Sequence, residues 1–308
     1  MLASIKRTFV RIANRCSRVR TFQPTRAPRA RLARLGVILD SRDQVARLGE
    51  VARMCDDAGI DALWVPERVP DTDDVASPQG DALDAVAANT TRLRVGLMMS
   101  SDPRTDGDAA ATLRRASVVT RRLEIAVPAD VADGRIRDLL PEGVRLSVAT
   151  PHLAAMDIAA RVGDDAVLSA TSVADLETTT AQLRACCQRA ERDPDTLGIA
   201  LEVPVSIGRT RAEAEARSRG EARFNVVGSP ADVGVFGTLE ECQERVIAFA
   251  HAGVTDLRCY LPSNPDIHDV IAQLTAVTIG TIDVLTPGAP RSRDPDPPQM
   301  WGGRRMGS

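Results

Sequence analysis

The sequence predicts an α/β fold, a single (β/α)8 barrel of the TIM type. Eight short apolar runs, typical of buried parallel strands, alternate with segments of helical periodicity. The chain has 308 residues, and a barrel of this type needs about 250. No G-x-G-x-x-G turn follows the first apolar run, which argues against a dinucleotide-binding Rossmann sheet.

The predicted strands and helices follow one another closely along the chain between its two terminal segments. Because strands and helices alternate, parallel pairing with right-handed crossovers is expected. The predicted strands span residues 35–39, 62–65, 93–99, 123–127, 144–149, 166–168, 199–207 and 257–261. The predicted helices span residues 44–58, 81–89, 109–119, 152–162, 173–191, 239–252 and 267–278.

Two helix starts have the spacing of a capping box. In this motif a hydroxyl and a carboxylate three residues apart satisfy each other's backbone amides. Thr238 with Glu241, and Thr210 with Glu213, have this spacing.

Two helix ends are marked by glycine. Gly59 and Gly253 each follow a helix, where a left-handed backbone conformation is needed. The surrounding segments, DAGIDAL at 57–63 and HAGVTDL at 251–257, resemble each other. Both read as a helix, a tight turn and a buried strand, which is the repeat expected of a barrel.

Composition excludes several classes of function. The net charge is −3 and aromatic residues make up 3% of the chain, so we predict no nucleic-acid partner. No run of 18 apolar residues is present, so no membrane span is predicted. Six scattered cysteines without a CxxC pair, and three histidines, predict neither a metal site nor a disulfide framework. A cytoplasmic location is therefore expected.

The two ends of the chain differ from its centre. Residues 1–34 contain ten Lys or Arg and no acid. We predict a basic extension at 1–33, the barrel at 34–284, and a disordered tail rich in Pro, Gly and Arg at 285–308. For 1–33, a disordered or artefactual extension is favoured, and an organelle-type presequence or a surface-binding amphipathic helix stays open.

The order of several segments resembles the luciferase-like monooxygenase superfamily. The strand, helix and AGIDALWVPE sequence of 34–67 resemble its start, and DALDAVAANTTRLRVG at 81–96 resembles its helix into the third strand. Further similar segments are ATLRRAS at 111–117, RLEI at 122–125, the strands within 144–168, RDPDTL at 192–197, GTLEE at 237–241 and AGVTDL at 252–257. The resemblance covers roughly residues 34–280.

This resemblance implies an oxidoreductase or monooxygenase of small organic substrates. Its cofactor would be the deazaflavin coenzyme F420 or FMN, bound at the carboxyl ends of the strands. A composition rich in Ala, Arg and Asp, typical of a high-GC genome, slightly favours coenzyme F420. The expected partner is a small-molecule substrate, and the sequence leaves a homodimer open.

Two departures from the family support an alternative, a degenerate barrel that binds a ligand or partner without catalysis. Relatives usually carry a longer segment between the fourth and fifth strands, with a glycine-rich turn and roofing helices. Here only residues 128–143 join these strands. Many relatives have an acid-histidine pair after the second strand, where this chain has Glu67 and Arg68.

Candidate site residues follow the first two predicted strands. Asp40 would reach the barrel mouth and contact the cofactor or substrate, although it could equally cap the next helix. Glu67 is a candidate catalytic base if burial raises its pKa, and Arg68 could bind a phosphate or carboxylate. A surface ion pair between these two residues is the simpler interpretation.

Further candidates follow the third and fifth strands. Ser100 and Ser101 are predicted to lie against the cofactor ring, although Ser-Ser-Asp-Pro is also an ordinary turn. The segment Ala149, Thr150 and Pro151 is predicted to bind the cofactor near its phosphate, because a helix begins there. The next residue, His152, is a candidate general acid or phosphate ligand, and a helix-start histidine without a catalytic task is the alternative.

Overall fold

The computed structural model describes residues 32–39, 47–66, 79–100, 102–119, 122–133, 135–169, 171–219, 229–262 and 267–285. Nine strands lie in these ranges, and all their pairings are parallel. They are β1 (Arg34–Ile38), β2 (Ala62–Pro66), β3 (Arg94–Met98), β4 (Leu123–Val127), β5 (Arg145–Ala149), β6 (Asp165–Ser169), β7 (Gly198–Ile207), β8 (Val235–Gly237) and β9 (Asp256–Tyr260).

Helices connect these strands along the described chain. They are α1 (Leu48–Ala58), α2 (Gln79–Asn89), α3 (Gly107–Val119), α4 (Ile136–Leu139), α5 (Leu153–Val162), α6 (Val173–Arg189), α7 (Arg211–Ser218), α8 (Pro230–Val233), α9 (Leu239–His251) and α10 (Ile267–Leu285). Helix α10 continues well past the predicted end at 278. Among the described helices, none combines the length and apolar character needed to cross a bilayer.

Eight of the strands close into a barrel. Their pairing order is β6-β5-β4-β3-β2-β1-β9-β7, and β7 pairs back with β6. The ninth strand, β8, pairs with the last three residues of β7 and was not predicted. The predicted (β/α)8 barrel is confirmed, and its eight strands coincide with the eight apolar runs of the sequence.

Alternate residues of each strand serve two different cores. Leu35 and Val37 of β1 belong to the large apolar core between the strands and the helices. Ile38 instead packs with Trp64 and Ala126 in a small separate cluster inside the barrel. Full burial of a Leu or Val side chain stabilises the fold by about 1.5–3 kcal/mol. The core between the strands and the helices contains far more buried side chains than the cluster inside the barrel, so most apolar burial lies outside the barrel.

The predicted helix starts are confirmed at one position and partly wrong at the other. Thr238 and Glu241 form a complete capping box at the start of α9. At α7 the Thr210 hydroxyl accepts from the backbone amide of Glu213. The Glu213 carboxylate, however, accepts from the amide of Arg209 at 2.9 Å. Its side chain turns one residue further back than the reciprocal motif requires.

The two predicted glycine turns are confirmed. Gly59 has φ 76° and ends α1, and Gly253 has φ 105° shortly after α9. A side chain at either position would be strained. Both turns lead directly into a barrel strand, β2 or β9, so they set the start of the strands that carry Trp64 and Arg258.

Trp64 fills the barrel interior and has no exposed surface. Its indole lies against the backbone of both neighbouring strands, β1 and β3. A Cβ added to Gly36 would lie 3.0 Å from its Nε1, and one added to Gly96 would lie 2.1 Å from its Cδ2. The two glycines are therefore required by the size of this one side chain.

Gly96→Ala should destabilise the protein, because the new methyl group would overlap the indole of Trp64. Overpacking of this kind lowers the free energy of unfolding by about 1–3 kcal/mol. Gly107→Ala is the matched control, since a Cβ there meets nothing within 4 Å. Urea unfolding compares the two variants, and equal stability would contradict the inward position of Trp64.

Candidate functional site

A pocket of about 190 Å³ opens at the carboxyl ends of β3 to β6, and Glu202 from the middle of β7 also lines it. This end of a (β/α)8 barrel carries the chemistry in barrel enzymes generally. The lining residues are Met98, Met99, Ala126, Val127, Pro128, Ala149, Thr150, Pro151, Val167, Ser169 and Glu202. We call this the mouth pocket.

The β3 and β4 side of the mouth pocket is apolar. Met98 and Met99 come from the end of β3, and Ala126, Val127 and Pro128 come from the end of β4. Methionine side chains adapt to ligands of different shape because they are unbranched and polarizable. This side suits the face of a ring or an aliphatic chain.

Three polar side chains contribute to the rest of the lining. The buried Thr150 hydroxyl donates to the backbone oxygen of Val167 at 2.9 Å, which ties the end of β5 to β6. Ser169 is exposed at the end of β6. Glu202, in β7, is the one charged residue among those that line the pocket.

Glu202 is held by a residue from the neighbouring strand. The phenol of Tyr260 in β9 donates to Oε2 of Glu202 at 2.9 Å, and Glu202 is 8% exposed. The sequence interpretation missed this pair. A signal was present, because Glu202 is the one charge within the apolar run 199–207 and Tyr260 is the one tyrosine of the chain.

Arg258 lies deeper in the barrel, below the mouth pocket, and is fully buried. Its Nε donates to Asp256 Oδ2 at 3.0 Å, and its Nη2 donates to Ser147 Oγ at 2.8 Å across the barrel. The guanidinium carbon lies 3.7 Å from the ring centroid of Trp64, a cation–π contact. Ser147 lies two residues before the pocket residue Ala149 in β5, so Arg258 and Trp64 occupy the layer beneath the pocket.

The amino-terminal end of the barrel is closed by ion pairs. Arg34 in β1 contacts Glu124 at 3.0 Å, Asp165 at 2.9 Å and Asp256 at 3.1 Å. Since β4 and β6 are not neighbours of β1, these side chains meet inside the barrel. Arg145 adds a contact of 2.8 Å to Asp165. Charged side chains thus fill the amino-terminal end of the barrel interior, where branched apolar side chains are usual in this fold.

The sequence-predicted site residues are distributed unevenly around the mouth pocket. Ala149, Thr150 and Pro151 line it. His152 is exposed and caps α5, where its Nδ1 accepts from the amide of Ala155 at 3.2 Å. Ser100 is exposed one residue beyond the pocket residue Met99. The other four predicted residues, Asp40, Glu67, Arg68 and Ser101, lie outside the described residues.

Comparison with known proteins identifies the fold. No family model and no curated protein matches the sequence. Among solved structures, an F420-dependent secondary alcohol dehydrogenase in complex with an F420-acetone adduct matches with a TM-score of 0.66 and 16% identity, over 81% of this chain and 99% of that one.

Two further solved structures have the same fold. The coenzyme F420 dependent tetrahydromethanopterin reductase of Methanopyrus kandleri matches with a TM-score of 0.62 and 12% identity, over 80% of this chain and 97% of that one. The oxygenating constituent of 3,6-diketocamphane monooxygenase from Pseudomonas putida, in complex with FMN, matches with a TM-score of 0.61 and 13% identity, over 80% and 97%. The resemblance stated from the sequence is thus confirmed at the level of the fold.

The described residues fit part of a flavin-type cofactor. The apolar side of the mouth pocket suits a ring, and the start of α5 directly after β5 offers backbone amides that suit a phosphate. The pocket of about 190 Å³ is smaller than the roughly 300–1,000 Å³ of sites for drug-sized ligands. It has room for one ring or a small substrate, so most of such a cofactor would lie outside it.

The ion pairs at the barrel base predict a dependence of stability on pH. Burial raises the pKa of Asp165, but Arg34, Arg145 and Arg258 outweigh burial and hold that pKa below its ordinary value. A depressed pKa adds stability that is present above the unfolded pKa of about 3.9 and is lost as the pH falls through the folded pKa. Asp165→Asn should destabilise the protein by about 1–3 kcal/mol at pH 7, because the partly exposed Arg34 and Arg145 lose the charge of a buried carboxylate.

Urea unfolding between pH 7 and pH 3 measures both effects. The wild-type protein should lose more of its unfolding free energy over this range than Asp165→Asn does. The exposed pair of Arg184 with Asp195 supplies the control, and Asp195→Asn should change neither the stability nor its acid dependence by much. Equal acid dependence in Asp165→Asn and the wild-type protein would contradict the buried network.

Proposed function

We propose that the chain is an oxidoreductase that uses coenzyme F420 or FMN and acts on a small organic substrate at the barrel mouth. The observation that carries this proposal is the mouth pocket, an apolar site with few polar groups at the carboxyl ends of the strands. Its support is the fold shared with proteins described as F420-dependent or as bound to FMN.

The residues proposed to hold the cofactor surround this pocket. Ala149, Thr150 and Pro151 would contact it from β5, and the start of α5 at His152 would face its phosphate. A bound flavin or deazaflavin would supply hydride transfer or oxygen chemistry, while the chain orients the partners and excludes water. The remaining proposed contacts are Asp40, Arg68, Ser100 and Ser101, and Glu67 and His152 are the proposed acid–base residues.

A barrel that binds a small ligand without turnover is the second candidate. The volume of the mouth pocket favours it. So does the short connection between β4 and β5, in which the described residues form a single four-residue helix, α4. Such a protein would bind the substrate-sized ligand and neither flavin nor deazaflavin.

Titration of the purified full-length chain with FMN and with coenzyme F420 separates the two candidates. The cofactor's own fluorescence reports binding, and a dissociation constant at or below tens of micromolar is expected for one of them. This affinity corresponds to about 6–7 kcal/mol of binding free energy. If neither cofactor binds in this range, the oxidoreductase proposal fails and the non-catalytic barrel is favoured.

Variants at two exposed histidines locate the bound cofactor. His152 begins α5 beside the mouth pocket, whereas His251 lies in the last turn of α9. His152→Ala should weaken cofactor binding because it alters the helix start that would face the phosphate. His251→Ala should leave the affinity unchanged, and equal effects of the two substitutions would contradict the proposed position.

A further inference from the structure

The lining of the mouth pocket favours an uncharged ligand. Apart from Thr150, Ser169 and Glu202, the residues that line it are Met, Ala, Val and Pro. No Lys, Arg or His is among the described residues of the lining, so an anionic group there would be buried without a cationic partner, which is costly. The Glu202 carboxylate already accepts the Tyr260 hydroxyl, and we assign it no contact with the ligand.

The volume of the pocket matches a single ring. It measures about 190 Å³, and an engineered apolar cavity of about 150 Å³ in another protein binds benzene. Ala126 and Ala149 contribute only methyl groups to the lining, so the ends of β4 and β5 leave room for a flat group. A ligand group of one six-membered ring therefore fits this space.

Two methionines distinguish an aromatic ring from a saturated one. Met98 and Met99 line the pocket from the end of β3. A thioether sulfur attracts an aromatic ring more strongly than a saturated ring of the same size. Met98 also packs against the cluster inside the barrel that contains Trp64, and it stays partly exposed. The cluster thus supports the side chain from within the barrel, while its exposed part is available to a ligand in the pocket.

We propose that the mouth pocket binds an uncharged substrate through a single aromatic ring, and that Met98 and Met99 contact this ring. The volume, the apolar lining and the two sulfur atoms all fit this chemical class. The inference rests on the proposed function in one respect, since it takes the mouth pocket as the place of the substrate and not of the cofactor's ring.

Three small probes test the proposal. Benzyl alcohol and cyclohexylmethanol carry the same substituent on an aromatic and a saturated ring, and benzoate adds a negative charge to the aromatic ring. Ligand-observed NMR titration of the full-length protein without cofactor gives their dissociation constants. Benzyl alcohol should bind about three- to tenfold more tightly than cyclohexylmethanol, the effect of one or two sulfur–aromatic contacts. Equal or tighter binding of cyclohexylmethanol or benzoate would overturn the proposal, as would no detectable binding of benzyl alcohol.

Substitution of methionine by leucine identifies the group responsible. Leucine conserves most of the volume and removes the sulfur. Met98→Leu should therefore lower the preference for benzyl alcohol over cyclohexylmethanol to about twofold or less. Met54→Leu is the matched control, since Met54 in α1 packs against the outer core and does not line the pocket. An unchanged preference in Met98→Leu, or an equal loss in Met54→Leu, would contradict the inference.

A titration with cofactor present separates this inference from the proposed function. If FMN or coenzyme F420 binds, the loaded protein should still bind benzyl alcohol, and competition between the two would place the cofactor's ring in the pocket and overturn the inference. If neither cofactor binds while the probes behave as expected, the cofactor proposal fails and the pocket assignment stands. Thermal unfolding confirms that each variant is folded, and Met99→Leu retains the test should Met98→Leu not fold.

Discussion

The stacking of Arg258 on Trp64 determines how the barrel is filled. The two side chains fill the middle of the barrel. Gly36 and Gly96 have no side chains and so leave room for the indole, and Ser147 accepts a hydrogen bond from the guanidinium. A buried guanidinium needs compensating charge, and Asp256 supplies it from the same strand. The layers above and below follow from this arrangement, with ion pairs at the base and a small pocket at the mouth.

The size of the mouth pocket and the residues that line it follow from that arrangement. Trp64 and Arg258 fill the barrel beneath the pocket, and its volume suits a substrate better than a whole cofactor. Its apolar side comes from β3 and β4, while its one carboxylate comes from β7. Such an asymmetric pocket can orient a small molecule, since one end meets methionine and alanine and the other meets a hydrogen-bond acceptor.

Much of the fold could be predicted from the sequence, because buried parallel strands and amphipathic helices leave strong periodic signals. All eight barrel strands and the capping box at Thr238 were predicted correctly. Strand β8 was missed because Val235–Gly237 is too short to show a pattern. The carboxylate of Glu213 was misplaced because its choice between two neighbouring amides depends on the local turn, which spacing does not specify.

The site was harder to predict than the fold. In a strand buried on both faces, hydrophobicity does not reveal which residues point into the barrel. The pairing of Glu202 with Tyr260, 58 positions apart, depends on the closure that makes β7 and β9 neighbours. The residues chosen by family resemblance include Ala149, Thr150 and Pro151, which do line the pocket. Their role toward a cofactor remains a proposal.

The accessibility of Trp64 tests the arrangement of the barrel interior most directly. The chain has two tryptophans, so a Trp301→Phe variant reports Trp64 alone. Acrylamide quenching of its fluorescence should be weak and its emission blue-shifted, since Trp64 is fully buried beneath the mouth pocket. Strong quenching with emission typical of a solvated indole would contradict the filled barrel and, with it, the position of the pocket.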